Sequence, residues 1–243
     1  TTLTTYEQKS QCPEILKSRA MELIASYADS IAIYTDASKL PDGKNGLGIY
    51  FPNIKSKTIN VEETKISLRI TDNHTIYAAE LTAIKIALQT IQLLELNIPT
   101  NCKFVIYADS LSSIKSLQSS RSTSRPALLQ DIYQTYSTLK SYIQLVWVPS
   151  HIGIPGNEMA DSLAIQSTQH PTIELNLKYE TQDINNFLQN AIFTRWQLRW
   201  DNSTTLYHTL HPKVDNQTKF CFNNRSFETF VSRLRLGRAR VNS

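Results

Sequence analysis

Three consecutive stretches with strand character, joined by short loops, restrict this chain more than any other feature. From Ser30, Ile31, Ile33 and Thr35 alternate with Ala32, Tyr34 and Asp36, the two-residue period of a strand. A loop from Lys39 to Asn45 holds Pro41-Asp42-Gly43, a turn signal, and GLGIYF at 46–51 supplies a second strand. A third runs from about Lys57 to Ile70, broken near Glu62-Glu63. Connections this short imply an antiparallel meander.

The period then changes. Leu81, Ile84, Leu88 and Ile91 recur at helical spacing, with Ala83 and Ala87 beside them. Phe104 to Ala108 forms a short apolar run that fits a buried strand, and SLSSIKSLQ from Ser110 a helix. Pro126 starts another helix, with Leu128, Leu129, Ile132, Tyr136 and Leu139 on one face. Ile143 to Val148 is the fifth strand, and a Pro/Gly-rich loop from Pro149 to Gly156 leads into a helix from Asn157. The order βββαβααβα predicts an α/β fold: a five-stranded mixed sheet, three strands antiparallel and the rest parallel, flanked by helices.

Three segments are expected. Residues 1–28 are polar, with a short apolar pattern around Ile15, Leu16, Met21, Leu23 and Ile24, and read as a tail or linker able to form a short helix. Residues 29–170 hold the mixed sheet. After His170-Pro171 the character changes, and residues 171–243 read as a helical and basic extension, with an amphipathic helix over 183–200. Trp147, Trp196 and Trp200 are read as packing residues rather than base-stacking platforms.

The charge is unevenly placed. Lys+Arg against Asp+Glu is 15 against 15 over residues 1–170 and 10 against 6 over 171–243, so the net +4 lies in the last third, most densely at Arg233, Arg235, Arg238 and Arg240. A basic flank beside an acid-centred body suits a polyanion that needs metal at the centre and positive charge at the edges. Cys12, Cys102 and Cys221 are odd in number and far apart, which excludes a disulfide framework or zinc knuckle and reads as free buried thiols in a reducing compartment. No apolar run of about 18 residues and no secretory signal is present, so an intracellular location, nuclear or cytoplasmic, is expected. Only Met21 and Met159 occur, and the chain is expected to be a segment of something longer.

Four carboxylates sit at the ends of this scaffold. Asp36 is expected to close the first strand, Asp109 to close the fourth, and Glu80 to open the first long helix, while Asp161 lies four residues after Asn157 on the last one. If the first and fourth strands pair in parallel, Asp36 and Asp109 emerge at one sheet edge, about 4.8 Å apart. Each acid taken singly has a bland reading: Asp109 as a helix cap, Glu80 as a first-turn dipole partner, Asp36 as a turn residue, Asp161 as an exposed helix position. Together they would repel, each raising its neighbours' pKa, unless cations bind between them. Oxygen ligands of this kind hold Mg²⁺ or Mn²⁺, and a pair of such ions can drive in-line attack on a phosphodiester.

The ordered segments YTDAS (34–38), AAELTAI (78–84), YADSLSSI (107–114) and VWVPSHIGIPGNEMADSLA (146–164) resemble the type 1 ribonuclease H family, in the form found in polyproteins of non-LTR retrotransposons. WQLRW (196–200) and RLRLGRAR (233–240) resemble, more loosely, the segment that follows this domain there. The resemblance implies a ribonuclease H-like fold and hydrolysis of the RNA strand of RNA–DNA hybrids, with a covalently linked reverse transcriptase as partner. It implies two Mg²⁺ ions, with Mn²⁺ a possible substitute, held by Asp36, Glu80, Asp109 and Asp161. His151 would act in proton transfer or product release, and Asn157 would orient a phosphate or a carboxylate.

Main-chain groups near Ala37, Ser38 and Glu80 would meet the RNA strand, and Thr75 a phosphate of the DNA strand. Where the family usually has glycine after the first aspartate this chain has Ala37, which is expected to affect efficiency rather than chemistry. The Arg/Lys-rich insertion of some members is absent: Arg121 to Arg125 is serine-rich. The alternative is a non-catalytic nucleic-acid-binding scaffold of the same fold, which would be expected to have lost at least one acid. A strand-transferring relative would be expected to lack the SHxGxxGNExAD arrangement.

Overall fold

Strand β1 (Ile31–Lys39) sits at the centre of the sheet because both its faces are apolar. Ile31 and Ile33 point to one side, and Tyr34 packs on the other with Ala32 beside it. The computed structural model describes residues 12–55, 60–98, 102–119, 124–204, 208–209, 211–214 and 224–235. Arg121 of the serine-rich stretch, Cys221 of the thiol reading, and Arg238 and Arg240 of the basic extension lie outside them.

β2 (Asn45–Phe51) and β5 (Thr64–Ile70) complete the antiparallel meander, and the break at Glu62-Glu63 separates β5 from a two-residue pair, β3 (Ile54–Lys55) with β4 (Asn60–Val61). β6 (Lys103–Ala108) and β7 (Tyr142–Trp147) pair in parallel on the other side of β1, giving the order β5-β2-β1-β6-β7. This is the expected mixed five-stranded sheet.

One face carries the main core. Helix α2 (Ile76–Leu94) lays Leu81, Ile84, Leu88 and Ile91 against Ile33, Leu47, Phe104 and Ile106, all buried. Each such side chain contributes about 1.5–3 kcal/mol of burial. α4 (Pro126–Thr138) adds Leu129 and Ile132, and α3 (Leu111–Gln118) adds Ile114. The opposite face is covered by α1 (Pro13–Ala25), whose Ala20 is fully buried with Tyr34, Val105 and Tyr107, and by α5 (Pro155–Ser167). The N-terminal segment therefore contributes a packed helix.

α5 lies unusually close to β2. A Cβ on Gly46 would run into Ser167 Oγ and the Ala164 carbonyl, and one on Gly48 into the Ala160 carbonyl and Ala164 N. The alternating glycines of GLG leave a groove in the strand that the helix backbone fills, and Ser67 Oγ donates to the Leu163 carbonyl at 2.9 Å.

Two compact units are distinguished, residues 1–180 and 181–243. The second contains α6 (Thr181–Asp201) and α7 (Arg225–Arg235). On α6, Phe187, Ile192 and Trp196 are more than half exposed, so Trp196 does not pack as expected, whereas Trp147 is in the core. Trp200 Nε1 donates to the His211 carbonyl at 2.8 Å. Cys102 is buried and Cys12 exposed, both free. Among the described residues no helix is long and apolar enough to cross a membrane.

Candidate metal centre

The parallel pairing of β1 with β6 sets the first two acids. Tyr34 is in register with Tyr107, and their rings stack at 4.9 Å. The last pair is Thr35 with Ala108, so one residue further Asp36 and Asp109 stand side by side. The two-residue period puts both on the tyrosine face. Asp36 does not close its strand as expected: β1 continues to Lys39 because β2 goes on pairing with it, Asp36 with Gly48 and Lys39 with Asn45. The carboxylate lies where parallel pairing ends and antiparallel pairing continues, a notch within the sheet rather than its rim.

Glu80 comes from the helix side. Thr75 caps α2, its Oγ1 accepting from Ala78 N at 3.2 Å. The helix starts at Ile76, which places Glu80 in the second turn rather than at the opening, flanked by the small buried residues Ala78 and Ala79 that let the backbone approach the sheet. Ligand oxygens of Asp36, Glu80 and Asp109 all lie within 4.8 Å of one another.

Burial is the largest influence on these acids. It raises the Asp36 carboxyl from 3.8 to about 8, with the Asp109 and Asp161 charges adding to it and the Ala37 amide, which donates to Asp36 Oδ1 at 2.7 Å, opposing it. Burial, then Asp36 and Asp109, pushes Glu80 well above the carboxylate range. Asp109 is raised by burial and by Asp161, against hydrogen bonding from Asn157 and the nearby His151. Asp36 and Glu80 share a hydrogen bond, so one proton between them relieves part of the repulsion. Glu80 Oε2 nevertheless remains buried with no hydrogen-bond partner. Three hard oxygen donors that cannot all ionise without a counter-charge, one left unsatisfied, fit a divalent cation of the Mg²⁺ or Mn²⁺ type.

Asp161 stands apart from this triad. It is charge-coupled to Asp36 and Asp109, yet its oxygen groups with His151 and Glu158. His151 Nδ1 is 3.8 Å from Asp161 Oδ2, an ion-pair distance rather than a hydrogen bond. His151 has a left-handed backbone (φ 53°) and a side chain 73% exposed. Its loop is tied by the Gly153 amide, which donates to Glu158 Oε1 at 3.0 Å. The close seat of α5 on the β2 glycines is what carries Asp161 towards the sheet end.

Two further contacts hold Asp109. Asn157, 2% exposed, donates to its Oδ2 at 3.5 Å, and Trp147 Nε1 donates to its main-chain carbonyl at 2.8 Å. Of the candidate substrate residues, Ala37 turns its methyl into the main core, away from the face of Asp36, and Ser38 is partly buried on β1. Thr75 lies at the cap of α2, where it also accepts from Arg125 Nη2 at 2.8 Å. Sequence reasoning missed Arg125, which is 4% exposed, and the anchoring role of Glu158. Arg125 precedes Pro126 in a serine-rich stretch, and nothing in one dimension links it to Thr75, fifty residues away.

Comparison with protein families matches residues 28–169 to the family model of RNase H. No curated protein matches the chain.

Proposed function

Because the chain belongs to the RNase H family, we propose that it is an endonuclease that cuts the RNA strand of RNA–DNA hybrids with two divalent cations, leaving 5′-phosphate and 3′-hydroxyl ends. The observation that carries this reading is the triad of buried acids, Asp36, Glu80 and Asp109, within 4.8 Å at the end of two parallel strands. In an inactive scaffold such a cluster would be pure cost, because desolvated carboxylates without a counter-charge destabilise the fold.

Asp36, Glu80 and Asp109 would hold the ions, with Asp161, charge-coupled to Asp36 and Asp109, as a further ligand. When bound, Mg²⁺ ions supply positive charge against the scissile phosphate and lower the pKa of the attacking water. The residues of the chain do the rest. Asn157 and Trp147 hold Asp109 from its side chain and its main chain, so that its oxygens keep one orientation. His151, exposed and beside Asp161, handles a proton at the leaving 3′-oxygen or assists product release. Thr75 meets a phosphate of the DNA strand, and main-chain groups at Ala37 and Ser38 meet the RNA strand, whose 2′-hydroxyls distinguish it in a wide minor groove. The Ala37 methyl is partly buried against the main core, on the face away from the Asp36 carboxylate, so the residue in place of glycine bears on efficiency rather than chemistry.

The motif series supports a place in reverse transcription of a non-LTR retrotransposon, beside a covalently linked reverse transcriptase, with residues 29–170 as the catalytic segment. The test is cleavage of labelled RNA–DNA hybrid, duplex DNA, duplex RNA and single-stranded RNA, with Mg²⁺, Mn²⁺ or EDTA. Cutting confined to the RNA of the hybrid and abolished by EDTA is the expected result. A folded chain that binds the hybrid but leaves it intact under every condition would establish the scaffold reading instead.

A further inference from the structure

The family match ends at residue 169, yet the next eleven residues stay on the same compact unit, which runs to Glu180. They run along the open edge of β5. Glu174 N and Leu175 N donate to the Arg69 carbonyl at 2.8 and 3.1 Å, and Thr71 N donates back to the Leu175 carbonyl at 3.1 Å. Arg69 reaches the His170 carbonyl at 2.7 Å, and its own amide donates to Glu174 Oε2 at 2.8 Å. Covering a bare strand edge accounts for these bonds. It does not account for the path of the chain beyond Leu177.

There the segment leaves the strand and turns onto His74. The Tyr179 ring stacks on the His74 ring at 4.7 Å and 15°, and its hydroxyl donates to the Asp72 carbonyl at 3.0 Å. His74, 1% exposed, immediately precedes Thr75. Its carbonyl accepts from Lys39 Nζ at 2.6 Å and Asn45 Nδ2 at 3.4 Å, at the ends of β1 and β2. Asn73 beside it has a left-handed backbone (φ 64°), which asparagine adopts more readily than most residues, and its amide donates to the Gly43 carbonyl at 2.7 Å. The turn 72–75 is thus gripped through its carbonyl by two strands and over its ring by Tyr179.

We infer that residues 170–180 are a positioning strap of the nucleic-acid site, with Tyr179 the positioning residue: by fixing the His74 ring it fixes where Thr75 and the start of α2 stand. This rests on the proposed hybrid binding, and it extends the functional unit beyond the matched family segment. The strap serves binding more than chemistry, because Glu80 is held by its own helix and by the triad, whereas Thr75 is the last residue before that helix. The strap also shares a recess of about 330 Å³ with Arg125, the partner of Thr75, lined on the strap's part by Asn176, Leu177, Lys178 and Glu180.

Tyr179 is 49% exposed, so Tyr179→Ala leaves a folded chain on which the question can be asked. The full chain and its Tyr179→Ala and Tyr179→Phe variants are compared in hybrid affinity with Ca²⁺, in kcat and KM with Mg²⁺, and in hydrogen exchange. Tyr179→Ala is expected to raise Kd and KM roughly two- to tenfold, the range of one aromatic pair, with kcat little changed. It should also speed exchange across 72–80 while β6 and β7 keep their protection. Tyr179→Phe, which keeps the ring, restores most of the binding. A lower melting temperature with unchanged Kd, KM and 72–80 exchange reduces the strap to an edge cover and overturns the inference. Equal losses in both variants overturn it too, by showing that the ring stack is not what positions the turn. A wild-type chain that binds without cutting refutes the nuclease reading alone, and the Kd ratio and exchange still decide the strap. One that does not bind the hybrid at all overturns both.

Discussion

Replacing Asp36 by Asn should make the metal-free protein more stable while abolishing its cleavage. Asp36 is 4% exposed, and its carboxyl is raised from 3.8 to about 8. The folded state therefore holds a proton between about pH 4 and 8 that the unfolded chain has released. Stability is then fully present below pH 4 and falls as pH rises towards 8, since it declines wherever the unfolded state binds fewer protons. At pH 7 the shift spans roughly three pH units, an upper limit of about 4 kcal/mol at 1.36 kcal/mol per unit. Because Glu80 and Asp109 share the strain, about 2–4 kcal/mol is the expected gain for a neutral side chain. Asparagine keeps an oxygen to accept from the Ala37 amide, which donates to Asp36 Oδ1 at 2.7 Å, and can donate its NH₂ to Glu80.

The assay is urea unfolding of both proteins in EDTA across pH 4.5 to 8, monitored by circular dichroism. Taking the difference cancels the groups that do not interact with Asp36, leaving its own titration and that of Glu80 and Asp109 beside it. The difference should be smallest at the acid end, about 1 kcal/mol at most, and grow with pH. Added Mg²⁺ should narrow the difference, because an ion bound only to the folded state stabilises by about 2.7 kcal/mol at a hundred times its Kd, and the variant has lost a ligand. A difference that is flat with pH, or an Asn variant less stable than wild type at pH 7 in EDTA, would refute the claim that these acids repel one another in a common buried site.

Two other substitutions test how the site is assembled. Gly48→Ala places a methyl against the Ala160 carbonyl and Ala164 N, backbone atoms that cannot rotate away. It should cost about 1–3 kcal/mol in urea unfolding and lower cleavage by displacing Asp161, and unchanged activity would show that the seat of α5 does not set that ligand. His151→Ala removes an exposed side chain 3.8 Å from Asp161. Stability should not change and kcat should fall by roughly 10²-fold with KM nearly constant, as for a lost proton-transfer group, and a KM effect alone would place His151 in binding.

The elements and the acids were legible because each is written locally. The βββαβααβα order comes from periods of two and 3.6 residues, the break at Glu62-Glu63 from two adjacent charges, the start of α4 from Pro126. Leu81, Ile84, Leu88 and Ile91 are buried as their spacing requires. Asp36, Glu80 and Asp109 were each identifiable from motif and position; the parallel register sets Asp36 beside Asp109, and α2 brings Glu80 to them. The packing of α1 was only half legible: from its apolar pattern Leu16 is buried and Leu23 and Ile24 pack against the core, but Ile15 and Met21 are exposed and the small Ala20 makes the fully buried contact.

What the linear order left undetermined depends on contacts between residues far apart in the chain. That β1 runs past Asp36 is decided by β2, which supplies partners as far as Lys39. That Asp161 joins His151 and Glu158 rather than the triad depends on how deeply α5 sinks onto Gly46 and Gly48. Arg125 on Thr75 and Tyr179 on His74 join residues 50 and 105 positions apart, and no periodicity or motif marks either pair. By itself the sequence determined the elements, their order and the identity of the acids, because strand and helix periods are properties of neighbours. The tertiary structure alone decided which side chains meet around those acids, because distance, burial and charge coupling arise only once the sheet is closed and its helices are seated.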